Sequence, residues 1–234
     1  MTKTVNKFNP VIIVMAKIPQ IGMVKTRLRP FLSDEKCVEL ATCFLKDAIS
    51  NAARLSEQII VAYSPNRLKN EAEALIPANV FLVEQHGNNL GERMFSAFQH
   101  AENLNFSPII AIGTDSPNLP LSILQAAVKS FENPENDLVL GESNDGGYYL
   151  IGLRKANREI FEGISWSSEK VFTETIEKAK LLGLQNLTQL PVWYDVDFPD
   201  DLIHLRNEML VTKTLQNSPS ETAKWLVANN ELFV

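Results

Sequence analysis

Four cations, Lys17, Lys25, Arg27 and Arg29, fall between Val11 and Ser33, with no Asp or Glu among them. The chain as a whole carries a net charge of −6, so this local inversion points to a site for an anion. The stretch VIIVMAKIPQIGMVKTRLRP opens on an apolar run, Val11–Met15, expected as a buried strand, and passes through Pro19 and Gly22 in a loop taken as Ala16–Arg29. A strand that empties into a glycine- and cation-bearing loop is how α/β proteins build a phosphate site at the carboxyl end of a sheet. Lys brings a flexible point charge and Arg a planar fork matched to phosphate oxygens. Two standard phosphate motifs are excluded: Met23 and Val24 separate Gly22 from Lys25-Thr26, so no G-K-[ST] is present, and the loop has no G-x-G-x-x-G.

Carboxylates supply the second half of the chemistry. Asp115 follows the apolar run PIIAIG directly and precedes Ser116-Pro117. A carboxylate at a strand end, in a Pro-stiffened turn, suits Mg²⁺ or Mn²⁺, with substrate phosphates and water completing the shell. The alternative role is a turn or helix cap. Asp195 and Asp197, in VWYDVDFPDDL, are expected to close a late strand on one face. One of them would supply the second metal carboxylate. Two such carboxylates would repel in the absence of metal, so Asn at either position is expected to melt no lower than the parent. Asp200 and Asp201 read as first-turn helix residues. Asn144-Asp145-Gly146-Gly147 offers a carboxylate and two glycines for an acceptor or sugar, or else a plain hairpin turn. Gly91-Glu92-Arg93, after Asn88-Asn89, could read a nucleobase or ribose, or simply start a helix.

These groups need a scaffold that brings strand ends together. Apolar runs at Val11–Met15, Gln58–Tyr63, Val80–Val83, Pro108–Ile112, Asp137–Leu140, Tyr148–Leu153 and Gln189–Val196 read as strands. Helical spacing follows Ser33-Asp34 over Glu35–Ala53, then a weaker helix ends before Pro77. Further helices are expected over Leu90–Ala101 and Leu121–Phe131, from Ser167-Ser168 to Leu182, from Pro199, and from Ser218-Pro219-Ser220 to about Ala228. Alternation of strand and helix implies a three-layer α/β/α sandwich with a mixed, mostly parallel sheet. The Gly-containing turn before Tyr148 implies one antiparallel pairing. A single domain is expected over 1–234, with its core at about 10–210 and a helical extension at 211–234.

Composition limits the alternatives. At 234 residues and 45% hydrophobic, the chain suffices for one large core. Its acidic balance argues against a nucleic-acid binder, and no apolar run reaches membrane-spanning length. MTKTVNKFNP lacks the apolar core of a signal peptide, so a cytoplasmic protein is expected. Cys37 and Cys43 point about 240° apart on a helix and read as core thiols. The three histidines show no metal-ligand pairing.

The segments AKIPQIGMVKTRL, NNLGERMFSAF, IGTDSPNLP, SNDGGYYLIGL, ISWSSEKVF and DVDFPDDL occur in this order across roughly residues 10–205. In this they resemble a bacterial family, a former domain of unknown function whose members are named arsenosugar-biosynthesis-type glycosyltransferases. The family belongs to the nucleotide-diphospho-sugar transferase superfamily with a GT-A-like fold, and is similar to the molybdenum-cofactor and phospholactate nucleotidyltransferases. The resemblance implies that Lys17, Gly22, Lys25 and Arg27 hold nucleotide phosphates; Ala16, Gly91 and Arg93 are also expected on the nucleotide. It implies that Asp115 and Asp197 bind metal, since DVD resembles the DxDTPxDL end of sugar-nucleotide synthetases; Phe198 stands where that motif has Thr. Lys25, Asp115 and Asp145 are the expected catalytic residues, with Asp145, Gly146 and Gly147 at the acceptor or sugar. The expected activity is sugar transfer from a nucleotide-diphospho-sugar to a small acceptor. The competing activity is nucleotidyl transfer from a nucleoside triphosphate with release of pyrophosphate, and a third possibility is a non-catalytic nucleotide-binding module.

Overall fold

The computed structural model describes residues 8–211 and 220–233. Seven strands form one sheet: β1 Val11–Lys17, β2 Ile59–Ser64, β3 Phe81–Glu84, β4 Ile109–Ile112, β5 Leu138–Ser143, β6 Tyr148–Leu153 and β7 Leu187–Trp193. Their spatial order is β3-β2-β1-β4-β6-β5-β7. β1 runs parallel to β2 and to β4, and β2 to β3, while β6 lies antiparallel between β4 and β5. β5 pairs in parallel with β7. The sheet is therefore mixed and mostly parallel, as the alternation of elements implies, and the turn before Tyr148 does make the antiparallel hairpin. Successive elements run outward from β1 in one direction through β2 and β3, and β4 takes the opposite side. The gap between the carboxyl ends of β1 and β4 is thus a topological switch point, the place where open α/β sheets bind ligands.

Side-chain alternation divides the core between the two faces of the sheet. Ile12, Val14 and Ala16 pack with Leu45, Ala48 and Ala52 of α1 (Asp34–Ala53), Ala72 of α2 (Lys69–Leu75) and Leu124 of α4 (Leu121–Ser130). Val11 and Ile13 face Met94, Ala97 and Phe98 of α3 (Leu90–Asn103) and Phe172 and Ala179 of α5 (Val171–Leu181). A third, smaller core joins Leu28, Leu32, Leu40 and Phe44 to Val196, to Leu202 and Leu205 of α6 (Pro199–Val211), and to Trp225 and Leu226 of α7 (Glu221–Ala228). This third core lies under the basic loop and the DVD segment, so α6 and α7 support the part of the molecule where charge is concentrated.

Several boundaries differ from the sequence expectation. β1 continues through Ala16 and Lys17, because parallel pairing with Tyr63 and Ser64 persists there. The loop then begins at Ile18 and includes a 3₁₀ turn, Thr26–Leu28. β7 stops at Trp193, so Asp195 and Asp197 stand beyond the strand rather than alternating along it. The helix expected from Ser167-Ser168 starts only at Val171, with Lys170 at its N-cap; Ser167 sits at φ 66° and Ser168 accepts the Lys170 N–H at 3.3 Å. Ser33 caps α1 as expected, and Ser220 caps α7. Ser218 and Pro219 lie outside the described residues. Cys37 is buried and Cys43 half-buried, and neither is in a disulfide.

The start of α7 is fixed by a buried carboxylate. Asp47 of α1 accepts the backbone N–H groups of Glu221 and Thr222 at 2.8 and 2.9 Å. Trp225 Nε1 donates to Glu39 at 3.0 Å. Asp47→Ala leaves two helix-terminal donors unpaired and is expected to cost about 1–2 kcal/mol, the scale of a lost cap. Urea unfolding of the parent and the variant measures this cost.

Candidate active site

The basic loop turns its Lys inward. Lys25 adopts left-handed backbone geometry (φ 47°, ψ 36°), which a side-chain-bearing residue takes only in a surrounding that fixes it. Its side chain is 6% exposed. The ammonium contacts Asp115 Oδ1, donates to the Val196 carbonyl at 2.7 Å and lies 3.4 Å from Asp197 Oδ1. The Phe44 ring lies 5.1 Å from it, and Cys37 Sγ is 3.4 Å from the Lys25 carbonyl. Burial alone would lower the Lys25 pKa, but the carboxylates of Asp115 and Asp197 outweigh it and hold it above its ordinary value. Lys25 is therefore a charged, built-in part of the site.

Asp115 and Asp197 come together from loops eighty residues apart in sequence. The Val196 N–H donates to the Asp115 carbonyl at 2.8 Å, which stitches the loop after β4 to the segment after β7. Asp197 Oδ2 accepts from Arg27 at 2.9 Å, and Phe198 packs against the Arg27 guanidinium, 5.1 Å from Cζ to ring centroid. Phe198 thus takes up the Arg, where the sugar-nucleotide motif has a Thr. Asp201 accepts the backbone N–H groups of Asp197 and Phe198 at 3.1 and 2.8 Å, the capping role expected of it.

Asp195 has a different position. Its two oxygens accept from Ser116 Oγ at 2.5 Å and Ser143 Oγ at 2.8 Å, tying the ends of β4, β5 and β7 into one edge. Burial raises its carboxyl above the ordinary value, and the charges of Asp115 and Asp145 push the same way. Of the two Asp in DVD, only the second faces Lys25 at hydrogen-bonding range. Asp195→Ala would leave both hydroxyls without their acceptor, one of them on buried Ser143. Its expected cost is about 2 kcal/mol, the scale of unsatisfied buried polar groups, read as a lower midpoint in denaturant.

The remaining candidates are spread along the same edge. Lys17 is exposed at the end of β1, and none of the carboxylates of the described residues is paired with it. Gly22 is in a turn at φ 76°, and Arg29 is paired with Asp34 at 2.7 Å rather than with the cluster. Asp145 is exposed, and its Oδ1 accepts the Gly147 N–H at 2.9 Å, which holds the turn. Gly146, at φ 82°, packs on the Glu169 backbone so closely that a Cβ would approach to 2.1 Å. That contact aligns the hairpin with the segment before α5. Arg93 Nε donates to the Gly87 carbonyl at 3.1 Å. Gly91 lies in the first turn of α3, where a Cβ would come within 2.7 Å of the Trp166 ring. Asn89, Gly91, Phe95, Arg158 and Trp166 line a cavity of about 280 Å³ that includes none of the Lys25 cluster.

The structure thus brings Lys25, Arg27, Asp115 and Asp197 into direct contact. Among the described residues, no hydrogen bond or ion pair joins Lys17, Gly22, Gly91 or Arg93 to that group. Of the four cations of the basic loop, Lys25 and Arg27 form ion pairs with the expected metal ligands, and Arg29 is paired with Asp34. Sequence reasoning did not reach the Val196 carbonyl, Phe44 or the hydroxyls of Ser116 and Ser143. Ser116, directly after Asp115, Ser143, directly before Asn144, and Val196, between Asp195 and Asp197, lay within segments already singled out; Phe44 comes from a segment with no local signature.

A family model described as "uncharacterized protein conserved in bacteria (DUF2064)" matches residues 48–168, just over half of the chain. The 2-phospho-L-lactate guanylyltransferase of Methanosphaera stadtmanae is 26% identical over 206 residues, covering 84% of this chain and 86% of the relative. That of Methanocaldococcus jannaschii is 26% identical over 199 residues, covering 81% and 80%. Among solved structures, a provisionally assigned nucleotide-diphospho-sugar transferase from Desulfovibrio desulfuricans G20 superposes with a TM-score of 0.86, at 31% identity and over 97% of both chains.

Proposed function

We propose that this chain, which belongs to the DUF2064 family of bacterial proteins, is a nucleotidyltransferase that moves a nucleoside monophosphate from a nucleoside triphosphate to a small phosphorylated acceptor. The observation that carries this reading is the meeting of Lys25, Arg27, Asp115 and Asp197 at the switch point between β1 and β4. The guanylyltransferase relatives weigh towards nucleotide transfer, the second of the two activities considered from sequence, and towards guanine as the base. The protein acts in the cytoplasm.

In this reading the triphosphate lies along the carboxyl edge over Ala16, Lys17, Gly22, Lys25 and Arg27. Its base and ribose extend toward Gly91 and Arg93, and Asp145, Gly146 and Gly147 face the acceptor. An acceptor phosphate oxygen attacks the α-phosphorus. The bond from that phosphorus to the α–β bridging oxygen breaks, and pyrophosphate leaves with the electron pair. A phosphate oxygen is already ionised near neutral pH, so no general base is required. Lys25 and Arg27 stabilise charge that grows on the phosphates, an electrostatic contribution made by pre-positioned cations.

Asp115 and Asp197 offer the hard oxygen donors that Mg²⁺ or Mn²⁺ takes, and both reach one point, now spanned by the Lys25 ammonium. Among the described residues no group of three or more His, Cys, Asp or Glu is arranged to hold a metal, so phosphate oxygens and water would complete the shell. The donor set fits once Lys25 moves. A metal bound there would neutralise phosphate charge.

A second reading is sugar transfer from a nucleotide-diphospho-sugar, which the likeness to the Desulfovibrio protein favours; the arsenosugar-biosynthesis type rests on the sequence resemblance alone. A product assay over nucleoside triphosphates and nucleotide sugars, with phosphorylated and unphosphorylated acceptors, separates the two. Pyrophosphate release is the expected result; release of nucleoside diphosphate from a nucleotide sugar would select sugar transfer instead.

A further inference from the structure

The position between Asp115 and Asp197 is already held by a cation of the protein's own. Lys25 Nζ contacts the first carboxylate, is 3.4 Å from the second and donates to the Val196 carbonyl at 2.7 Å. The side chain is almost wholly buried, so the ammonium cannot be shared with a divalent ion at the same point. Like charges at that spacing repel, and each would take the oxygens the other needs. Lys has the freedom to leave: its stem is flexible, and its three donors are not bound to one planar geometry as an Arg fork would be. Arg27, by contrast, is fixed on two sides by Asp197 and Phe198.

We propose that Lys25 is an exchangeable counter-cation: it satisfies Asp115 and Asp197 when no nucleotide is bound, and it cedes them to the metal only when substrate phosphates accept its ammonium. The inference rests on the proposed phosphate and metal roles of this edge. It adds an order of events: the protein without nucleotide has weak affinity for the metal, and nucleotide creates the site by drawing Lys25 away. Phosphate oxygens replace carboxylate oxygens around the ammonium, so no charge is left without a partner at any stage. Metal and nucleotide then tighten each other by the same factor, for a reason built into one side chain.

The test needs no turnover. Mn²⁺ binding to nucleotide-free protein is titrated by electron paramagnetic resonance in the parent and in Lys25→Met, with near-ultraviolet circular dichroism on the same samples to establish folding. The variant is expected to bind Mn²⁺ at least tenfold more tightly than the parent, and adding Asp197→Asn to it should remove the gain. Equal or weaker Mn²⁺ binding in a folded variant overturns the proposal. In the parent itself, the ¹³Cε resonance of Lys25 should stay in place with Mg²⁺ alone and move when Mg²⁺ and GTP are added together. Movement with Mg²⁺ alone, or none with GTP bound, overturns it equally and decides the matter should the variant not fold. Failure of the broader reading would show elsewhere, as no pyrophosphate in the product assay, whatever the Mn²⁺ affinities.

Discussion

Asp115→Asn is expected to reduce turnover at least a hundredfold, the scale of removing a charged contact that acts on the reacting phosphates, and to make the protein less stable at neutral pH. The second effect is the more diagnostic. From sequence, two carboxylates facing each other without metal would gain from losing a charge. In the structure they do not face each other unrelieved: Lys25 stands between them. Asn therefore removes the closest counter-charge of a buried ammonium. Breaking a fully buried pair costs about 3–5 kcal/mol, but Asp115 is 49% exposed, and solvent screening brings the expected loss down to about 1–2 kcal/mol. The pH dependence has a definite sign. The Lys25 pKa is raised in the folded protein, so its pairing contributes fully below the ordinary lysine value of 10.5 and is lost as pH rises through the higher folded value. The stability difference between parent and variant should hold across neutral pH and shrink only above 10.5. Urea unfolding at pH 7 and at pH 11 measures this; a variant as stable as the parent at pH 7 would mean that the ion pair is energetically idle.

In the proposed reaction, Lys25→Met should weaken GTP binding by about ten- to a hundredfold and reduce kcat/KM by about a thousandfold, as expected for a preorganised cation whose contact strengthens as charge develops. The loss should fall on kcat as well as on KM, because in the proposed reaction the ammonium contributes most in the transition state. The contrast with Arg27→Ala is informative. Arg27 is 62% exposed, so its loss should lower affinity while leaving the melting temperature nearly unchanged. Calorimetric titration with GTP and initial rates over a range of GTP concentrations compare the two. An unaltered kcat in Lys25→Met would remove this residue from the chemistry.

The parts of this site that are local in sequence were legible. The apolar run Val11–Met15 followed by cations, and PIIAIG followed by Asp115, each state a strand and its loop within a dozen residues. The turn at Asp145-Gly146 marked the antiparallel pair β5–β6, because a short Gly-bearing connection leaves no room for a crossover helix. Parallel order was not legible in the same way: that β4 lies beside β1 depends on packing of both faces, which no single segment encodes. The pairing of Lys25 with Asp115 spans ninety residues and turns on the left-handed backbone at Lys25, a conformation its neighbours do not announce. The late strand was extended too far because VWYDV continues the alternation of apolar and polar residues beyond Trp193, whereas Asp195 is drawn off by Ser116 and Ser143. Ser167-Ser168 resembled a helix cap, but Glu174 reaches back to accept from Ser165 N and Oγ instead, at 2.6 and 3.0 Å, and the helix starts later.

The proposed reaction depends on where a triphosphate lies, and a crystal structure with Mg²⁺ and a GTP analogue resistant at the α–β bond measures that directly. The expected result has phosphate oxygens within hydrogen-bonding distance of Lys25 Nζ and Arg27, with the Mg²⁺ bound by Asp115 and Asp197. A nucleotide bound elsewhere, with Lys25 still between the two carboxylates, would contradict it.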